Sequence, residues 1–283
     1  MLVAFIWGTN FVIIRYGLDE LQPFTLAALR FGFVAVPLVF ILPRPKTSWV
    51  NLASYGLLIG CGQFGLLFWA MQANISPGLA SLIIQMQVFF TILLAVAMFA
   101  ETIRLGQILA LGVCFIGLIL IVVNIDAQTT LTGVVVVLIA AASWAGGNLV
   151  VKRVGSVDIL AFLAWSSLFS VPPLAALAWY WEGSDAVVHS IMNTSWRGWA
   201  VVLWQSIGNT LIGYGLWNFL LARYSSAVVT PWALLVPVFG MSASALVLSE
   251  PMPWWKLLAA ALICAGLVLN MLSLSGRIPS AEK

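Results

Sequence analysis

Charge is what this 283-residue sequence has least of: only 7% of its residues are Asp, Glu, Lys or Arg, against roughly 25% in soluble domains. A chain that is 63% hydrophobic with a mean hydropathy of +1.08 cannot bury so much apolar surface in a soluble core, so the composition gives an integral membrane protein. The net charge of +3 is too small to point to nucleic acid. The lone histidine, His189, falls in a loop and reads as solvated. Cys61, Cys114 and Cys264 all lie in apolar stretches, where small thiols pack, and imply neither a disulfide framework nor a metal site. There is no HExxH pair and no GxxxxGKS or GxxxxGKT phosphate cradle. All nine carboxylates lie at helix ends or in loops, which excludes an intramembrane aspartyl enzyme and a mid-membrane carboxylate relay. No enzyme, cofactor or metal is therefore expected. Basic residues are too sparse along the apolar stretches for a polyanionic substrate, leaving a small neutral or zwitterionic solute.

What the sequence has in abundance is long apolar runs. Ten windows read as helices, near 1–17, 24–42, 52–73, 77–99, 105–124, 131–152, 158–180, 199–221, 227–248 and 254–273. The first has no basic leader and no small-residue cleavage site, so it reads as a retained span; whether residues precede it stays open. With the N-terminus inside, Arg44, Lys46, Arg104, Lys152, Arg153, Arg223, Arg277 and Lys283 are cytoplasmic, while Arg15, Arg197 and Lys256 are outside. That asymmetry puts both termini in the cytoplasm.

A repeat runs through these spans. Asn10, Val12, Arg15 and Gly17 align with Asn148, Val150, Arg153 and Gly155 at an offset of 138, and Phe90, Glu101, Gly117 and Leu118 align with Phe239, Glu250, Gly266 and Leu267 at 149. The eleven additional residues fall around a surface loop from Trp181 to Gly198. Five spans per copy is an odd number, so the second copy enters the membrane upside down, as in secondary transporters. The expected architecture is all-α, with ten transmembrane helices as two inverted five-helix repeats, 1–126 and 127–283.

The stretch from Ser76 to Glu101 carries Gln85 and Gln87 in a span without charge. Amides have no partner in lipid, so each should face a helix, a wet cavity or a ligand. Two positions are about 200° apart around an α-helix, so both face one cavity only if the helix is distorted. Arg30, about 9 Å into the second span, is either a structural arginine or a contact for a substrate carboxylate. Gly56 and Gly60 have GxxxG spacing for close packing, with Gln63 nearby as a cavity residue. Trp144 shares a face with Asn148, Ser166 with Ser170, and Gln205 with Asn209; Tyr214 joins Ser166 and Asn209 as a cavity candidate. Pro231 and Pro237 break the ninth span and free the carbonyls of Ala227 and Ala233. The counterpart of Gln87 is Val236, so amide and kink sit at one depth, and a site near the midplane between the halves follows. Glu101 and Glu250 end corresponding helices, as topological stops or as gates. The fifth and tenth spans are almost devoid of polar residues and read as peripheral.

WGTNFVIIRYG, the LRF at Leu29 to Phe31, PGLASLIIQMQVFFT, WAGGN and LLVPVFG resemble the EamA-like branch of the drug/metabolite transporter superfamily across essentially the whole chain. Within it they are most similar to bacterial inner-membrane exporters of O-acetylserine and cysteine. The resemblance implies ten helices, a central cavity, peripheral fifth and tenth helices and alternating access. It also implies export of cysteine-pathway metabolites or related amino acids, with Asn10, Gln85, Gln87 and Asn148 lining the site. A broad exporter of amphipathic drugs, suited by fourteen tryptophans, and a non-transporting structural subunit are the alternatives. The expected partners are a small-molecule substrate and the lipid bilayer. Proton antiport and facilitated export fit equally well, and the oligomeric state is open.

Overall fold

The computed structural model describes residues 1–99, 103–125, 129–155, 157–223 and 230–275. Among them there is no strand. The helices are α1 (Leu2–Leu18), α2 (Pro23–Val39), α3 (Trp49–Ala73), α4 (77–99), α5 (Leu105–Val122) and α6 (Leu131–Val154). They continue with α7 (Ile159–Glu182), α8 (Ser184–Asn193), α9 (196–223), α10 (Leu235–Val247, entered through a 3₁₀ turn at Thr230–Leu234) and α11 (Trp254–Ser275). Local chemistry starts them: Ser48, Thr130, Asp158 and Ser195 accept hydrogen bonds from first-turn backbone N–H groups, and Pro23 and Pro77 stand in the first turns of α2 and α4.

Six helices, α3 to α7 and α11, are long and apolar enough to cross a bilayer unaided. The 17-residue α1 and α2 are turned 119° from one another. The expected loop around residues 181–198 holds α8, which has no buried residue; His189 is exposed, as expected for a solvated side chain. Part of the insertion is thus a surface helix rather than an open loop.

Helix pairing is reciprocal between the chain's two parts. α1 packs on α10 and α4 on α6; α2 pairs with α7, and α5 with α11. The last pair crosses on small residues. A Cβ on Gly117 would meet Ile263 at 2.9 Å and the Ala259 carbonyl at 3.1 Å, while one on Gly266 would meet Cys114 at 2.4 Å and the Ala110 carbonyl at 2.7 Å. As the number rises from 110 to 117 the partner falls from 266 to 259, so α5 and α11 are antiparallel. Their outer faces are exposed, and the pair lies at the periphery.

Five helices depart from α geometry, α7 by a terminal π turn at Ala178–Glu182. α3 is a π-helix over Leu57–Gly65 and α9 over Trp204–Gly213, while 3₁₀ turns occupy Ile84–Met86 in α4 and Thr230–Leu234 before α10. The π segments of α3 and α9 occupy corresponding repeat positions, as do the two 3₁₀ turns. Such distortions re-aim side chains, and π segments concentrate at functional sites. The GxxxG residues do pack closely, on α7: a Cβ on Gly56 would lie 2.2 Å from the Ser166 carbonyl, and one on Gly60 2.3 Å from the Ser170 hydroxyl.

α1 rests directly on the start of α10. A Cβ on Gly8 would stand 2.6 Å from both Phe239 Cβ and the Val236 carbonyl, neither of which is the end of a flexible side chain. Gly8→Val is expected to cost about 1–3 kcal/mol through overpacking. The thermal unfolding midpoint in detergent checks it, and an unchanged midpoint would contradict the observed approach.

Candidate functional site

The distorted segments of α3, α4 and α9 line part of a narrow cavity of about 50 Å³ inside the bundle. α1 supplies Trp7 and Asn10, α3 supplies Gln63 and Phe64, and α4 supplies Gln85 from its 3₁₀ turn. α6 adds Trp144, α9 adds Asn209 and Tyr214, and α10 adds Val236. The lining is aromatic with amides set into it. Gln63 Oε1 and Asn209 Oδ1 are buried without a hydrogen-bond partner among the described residues. In a low-dielectric interior such acceptors are costly unless something else fills them. The cavity therefore presents unused acceptors to whatever enters.

Beside it lies a buried polar nest that residue spacing does not reveal. Arg30 is fully buried, with its guanidinium 3.6 Å from the centre of the Phe64 ring. Its Nη1 donates to Gln205 Oε1 at 2.9 Å and its Nη2 to Thr210 Oγ1 at 3.0 Å. Gln205 exchanges two hydrogen bonds with Asn10: Gln205 Nε2 donates to Asn10 Oδ1 at 2.8 Å, and Asn10 Nδ2 donates to Gln205 Oε1 at 3.3 Å. No carboxylate faces Arg30 among the described residues. Arg30 and Ser166 line a second, smaller void, which shares Phe64 and Tyr214 with the first. The sequence pairs Gln205 with Asn209 on one face; Gln205 bonds to Arg30 and Asn10, while Asn209 lines the cavity that Asn10 also reaches.

Of the candidates, Asn10, Gln63, Gln85, Asn209 and Tyr214 come together at the cavity, and Arg30 and Ser166 stand next to it. Gln87 and Asn148 do not join them. Asn148 Nδ2 donates to Gln87 Oε1 at 3.0 Å and to Thr91 Oγ1 at 3.3 Å, forming a separate contact between α4 and α6. The 3₁₀ turn at 84–86 winds about 120° per residue, so Gln85 and Gln87 still stand about 120° apart, too far to face one cavity. Pro231 lies in the 3₁₀ turn at Thr230–Leu234, while Pro237 lies in the first turn of α10, where a proline removes no intrahelical donor. Ala227 and Glu101 lie outside the described residues.

At one end of the bundle, carboxylates from one part of the chain clasp helix starts in the other. Glu182 accepts from Phe24 N at 2.6 Å, Thr25 N at 3.2 Å and Thr25 Oγ1 at 2.7 Å. Glu20 accepts from Ser195 N at 2.7 Å and Ser195 Oγ at 2.8 Å. Glu250 accepts from Ser76 Oγ at 2.5 Å, Gly78 N at 3.0 Å and Lys256 Nζ at 2.9 Å. A carboxylate at a helix N-terminus satisfies orphan donors and meets the positive end of the dipole. Glu250 and Lys256 are both buried.

The sequence profile of the EamA-like transporter family matches residues 1–123 and 131–272. The chain is similar, at 36% identity over 98% of its length and 95% of the relative's, to a protein of Escherichia coli (strain K12) described as a probable amino-acid metabolite efflux pump. A Salmonella typhimurium protein of the same description is 36% identical over 96% of this chain and 93% of its own. A probable terminal-alkyne amino-acid exporter of Streptantibioticus cattleyicolor is 26% identical over 95% of this chain and 91% of its own. One crystal structure superposes with a TM-score of 0.64 over 99% of this chain and 97% of that chain, at 19% identity, a likeness of fold.

Proposed function

The chain belongs to the EamA-like transporter family, and from that premise we propose that it exports small zwitterionic or neutral amino-acid metabolites across a bacterial inner membrane by alternating access. Cysteine-pathway compounds such as O-acetylserine are the substrates its sequence favours. The observation that carries this reading is the cavity lined from both parts of the chain, with the unpartnered Gln63 Oε1 and Asn209 Oδ1. Both relatives at 36% identity are described as amino-acid metabolite efflux pumps, which supports it. The family and these relatives are transporters, in keeping with a protein that is not an enzyme.

The reciprocal helix pairing and the antiparallel α5–α11 crossing support a ten-span reading, α1 to α7 and α9 to α11, as two inverted repeats divided near residue 127, with α8 at the surface. The basic-residue count then puts both termini in the cytoplasm and the clasped end outside. A cavity of about 50 Å³ holds a few waters, not an amino acid. Loading therefore requires the helices around it to part, and release to the outside requires the Glu20, Glu182 and Glu250 clasps to open. A second reading, export of amphipathic drugs, is favoured by the aromatic walls formed by Trp7, Phe64, Trp144 and Tyr214.

The test is counterflow of labelled amino-acid metabolites in vesicles holding the purified protein. Gln63→Leu and Asn209→Leu are each expected to lower it about tenfold, the worth of one hydrogen bond to a charged group. Each removes an unpartnered acceptor, so the unfolding midpoint should not fall. Undiminished counterflow of amino-acid metabolites in both variants would remove the cavity amides from the mechanism, and counterflow only of amphipathic cations would select the drug reading.

A further inference from the structure

The second void, about 10 Å³, lies beneath Phe64 and is lined by Arg30, Tyr55, Ser166, Ser167, Ser170 and Thr210, with Tyr214 at its border. It has room for one water-sized group. Most of the hydroxyls around it are already used. Ser167 Oγ donates to the Leu163 carbonyl, Ser170 Oγ to the Gly56 carbonyl and Thr210 Oγ1 to the Gln205 carbonyl. Two buried groups are not: Arg30 Nε and Ser166 Oγ have no partner among the described residues, and both residues are 1% exposed or less. A full positive charge, an unused N–H and an unused hydroxyl thus border one small space with no acid beside them.

We infer that this void is a small-anion subsite, held by Arg30 and Ser166, that takes the carboxylate of the exported solute. The inference rests on the exporter reading and extends it by giving the solute a direction. Phe64 and Tyr214 line both spaces, so they form the partition through which one carboxylate oxygen passes from the central cavity. The solute's ammonium group then stays in the central cavity, where Gln63 Oε1 and Asn209 Oδ1 are the unused acceptors. A positive charge is on one side and neutral amides with unused oxygens are on the other, which matches the two ends of an amino acid. A free halide has the same chemistry as far as the subsite is concerned, and the two sources are separable.

The test measures the unfolding midpoint of the full-length protein in detergent at constant ionic strength, titrating acetate, chloride or neutral acetamide. A saturable rise with acetate or chloride, absent with acetamide, is expected. Ser166→Val, which fills the void and leaves Arg30 in place, should weaken it about tenfold, the worth of a charge-assisted hydrogen bond. Ser166→Ala should act in the same direction but less. A rise with acetate assigns the subsite to a carboxylate, and a rise with chloride alone assigns it to a free halide. Equal responses in wild type and Ser166→Val, or an acetamide effect equal to that of acetate, would overturn the subsite. In counterflow, the wild type should prefer an amino acid to its amide, with that preference about tenfold smaller in Ser166→Val. If the wild type carries neither compound while the acetate response persists, the exporter reading fails and the anion site stands.

Discussion

Replacing Gln205 by leucine is expected to destabilise the protein more than replacing Arg30, its charged neighbour, by methionine. Gln205→Leu leaves a fully buried guanidinium with Thr210 as its remaining hydrogen-bond partner, and takes both hydrogen bonds from Asn10. Breaking a buried charged contact from one side costs about 3–5 kcal/mol, because the charge remains and its compensation goes. Arg30→Met removes the charge itself and keeps an apolar stem against Phe64. Gln205 then retains Asn10, and the Thr210 hydroxyl still donates to the Gln205 carbonyl. That substitution should cost about 1–2 kcal/mol, one net hydrogen bond or so. The double variant should resemble Arg30→Met, since no charge is left to strand. Unfolding midpoints of the three variants check the order, and a Gln205→Leu protein as stable as the wild type would contradict the nest. Export should follow a different order: Arg30→Met is expected to abolish transport of free amino acids while folding well.

Glu250→Ala is expected to be comparably damaging for a different reason. Glu250 is 8% exposed and Lys256 3%, and they form a 2.9 Å ion pair. The same carboxylate holds Ser76 Oγ and the Gly78 N–H at the start of α4, so a single truncation strands an ammonium group and uncaps a helix. Together these should cost about 3–5 kcal/mol. Glu250→Gln preserves an acceptor for Gly78 and for Lys256, which also donates to the Pro251 carbonyl at 3.2 Å, and should lose about 1–2 kcal/mol. Lys256→Met/Glu250→Ala removes both charges and should recover much of the loss. The unfolding midpoint reads all three. If Glu250→Ala and Glu250→Gln lose equally little, the clasp is not what holds α4 to the second part of the chain.

These effects trace back to residues whose importance was unevenly visible in the sequence. Apolar runs placed the long helices to within a few residues, because a bilayer demands length and apolarity from one continuous stretch. Gly56 and Gly60 were legible as packing contacts because close approach needs small residues at fixed spacing, whereas Gly117 and Gly266 were legible only as repeat counterparts. The break near Pro231 was legible because proline removes a donor. Its counterpart at Ile84–Met86 contains no proline and carried no local signal, although the 149-residue repeat offset points to it. The π segments of α3 and α9 were likewise silent. They carry Gln63 and Asn209, which reach the cavity with Gln85, while Gln87 and Asn148 satisfy each other. Arg30 was visible as an anomaly, but its partners lie 175 and 180 residues away, and no spacing rule spans that distance. Glu20, Glu182 and Glu250 were legible only as helix-end or loop carboxylates for the same reason, since the helices they cap belong to the other part of the chain.

The most direct test of the exporter assignment is mass spectrometry of the medium from cells producing the wild type or a correctly inserted Asn209→Leu variant. Selective accumulation of cysteine-pathway compounds or related amino acids outside wild-type cells, lost in the variant, is the expected result. No difference in any amino-acid metabolite between wild type, variant and empty cells would contradict it.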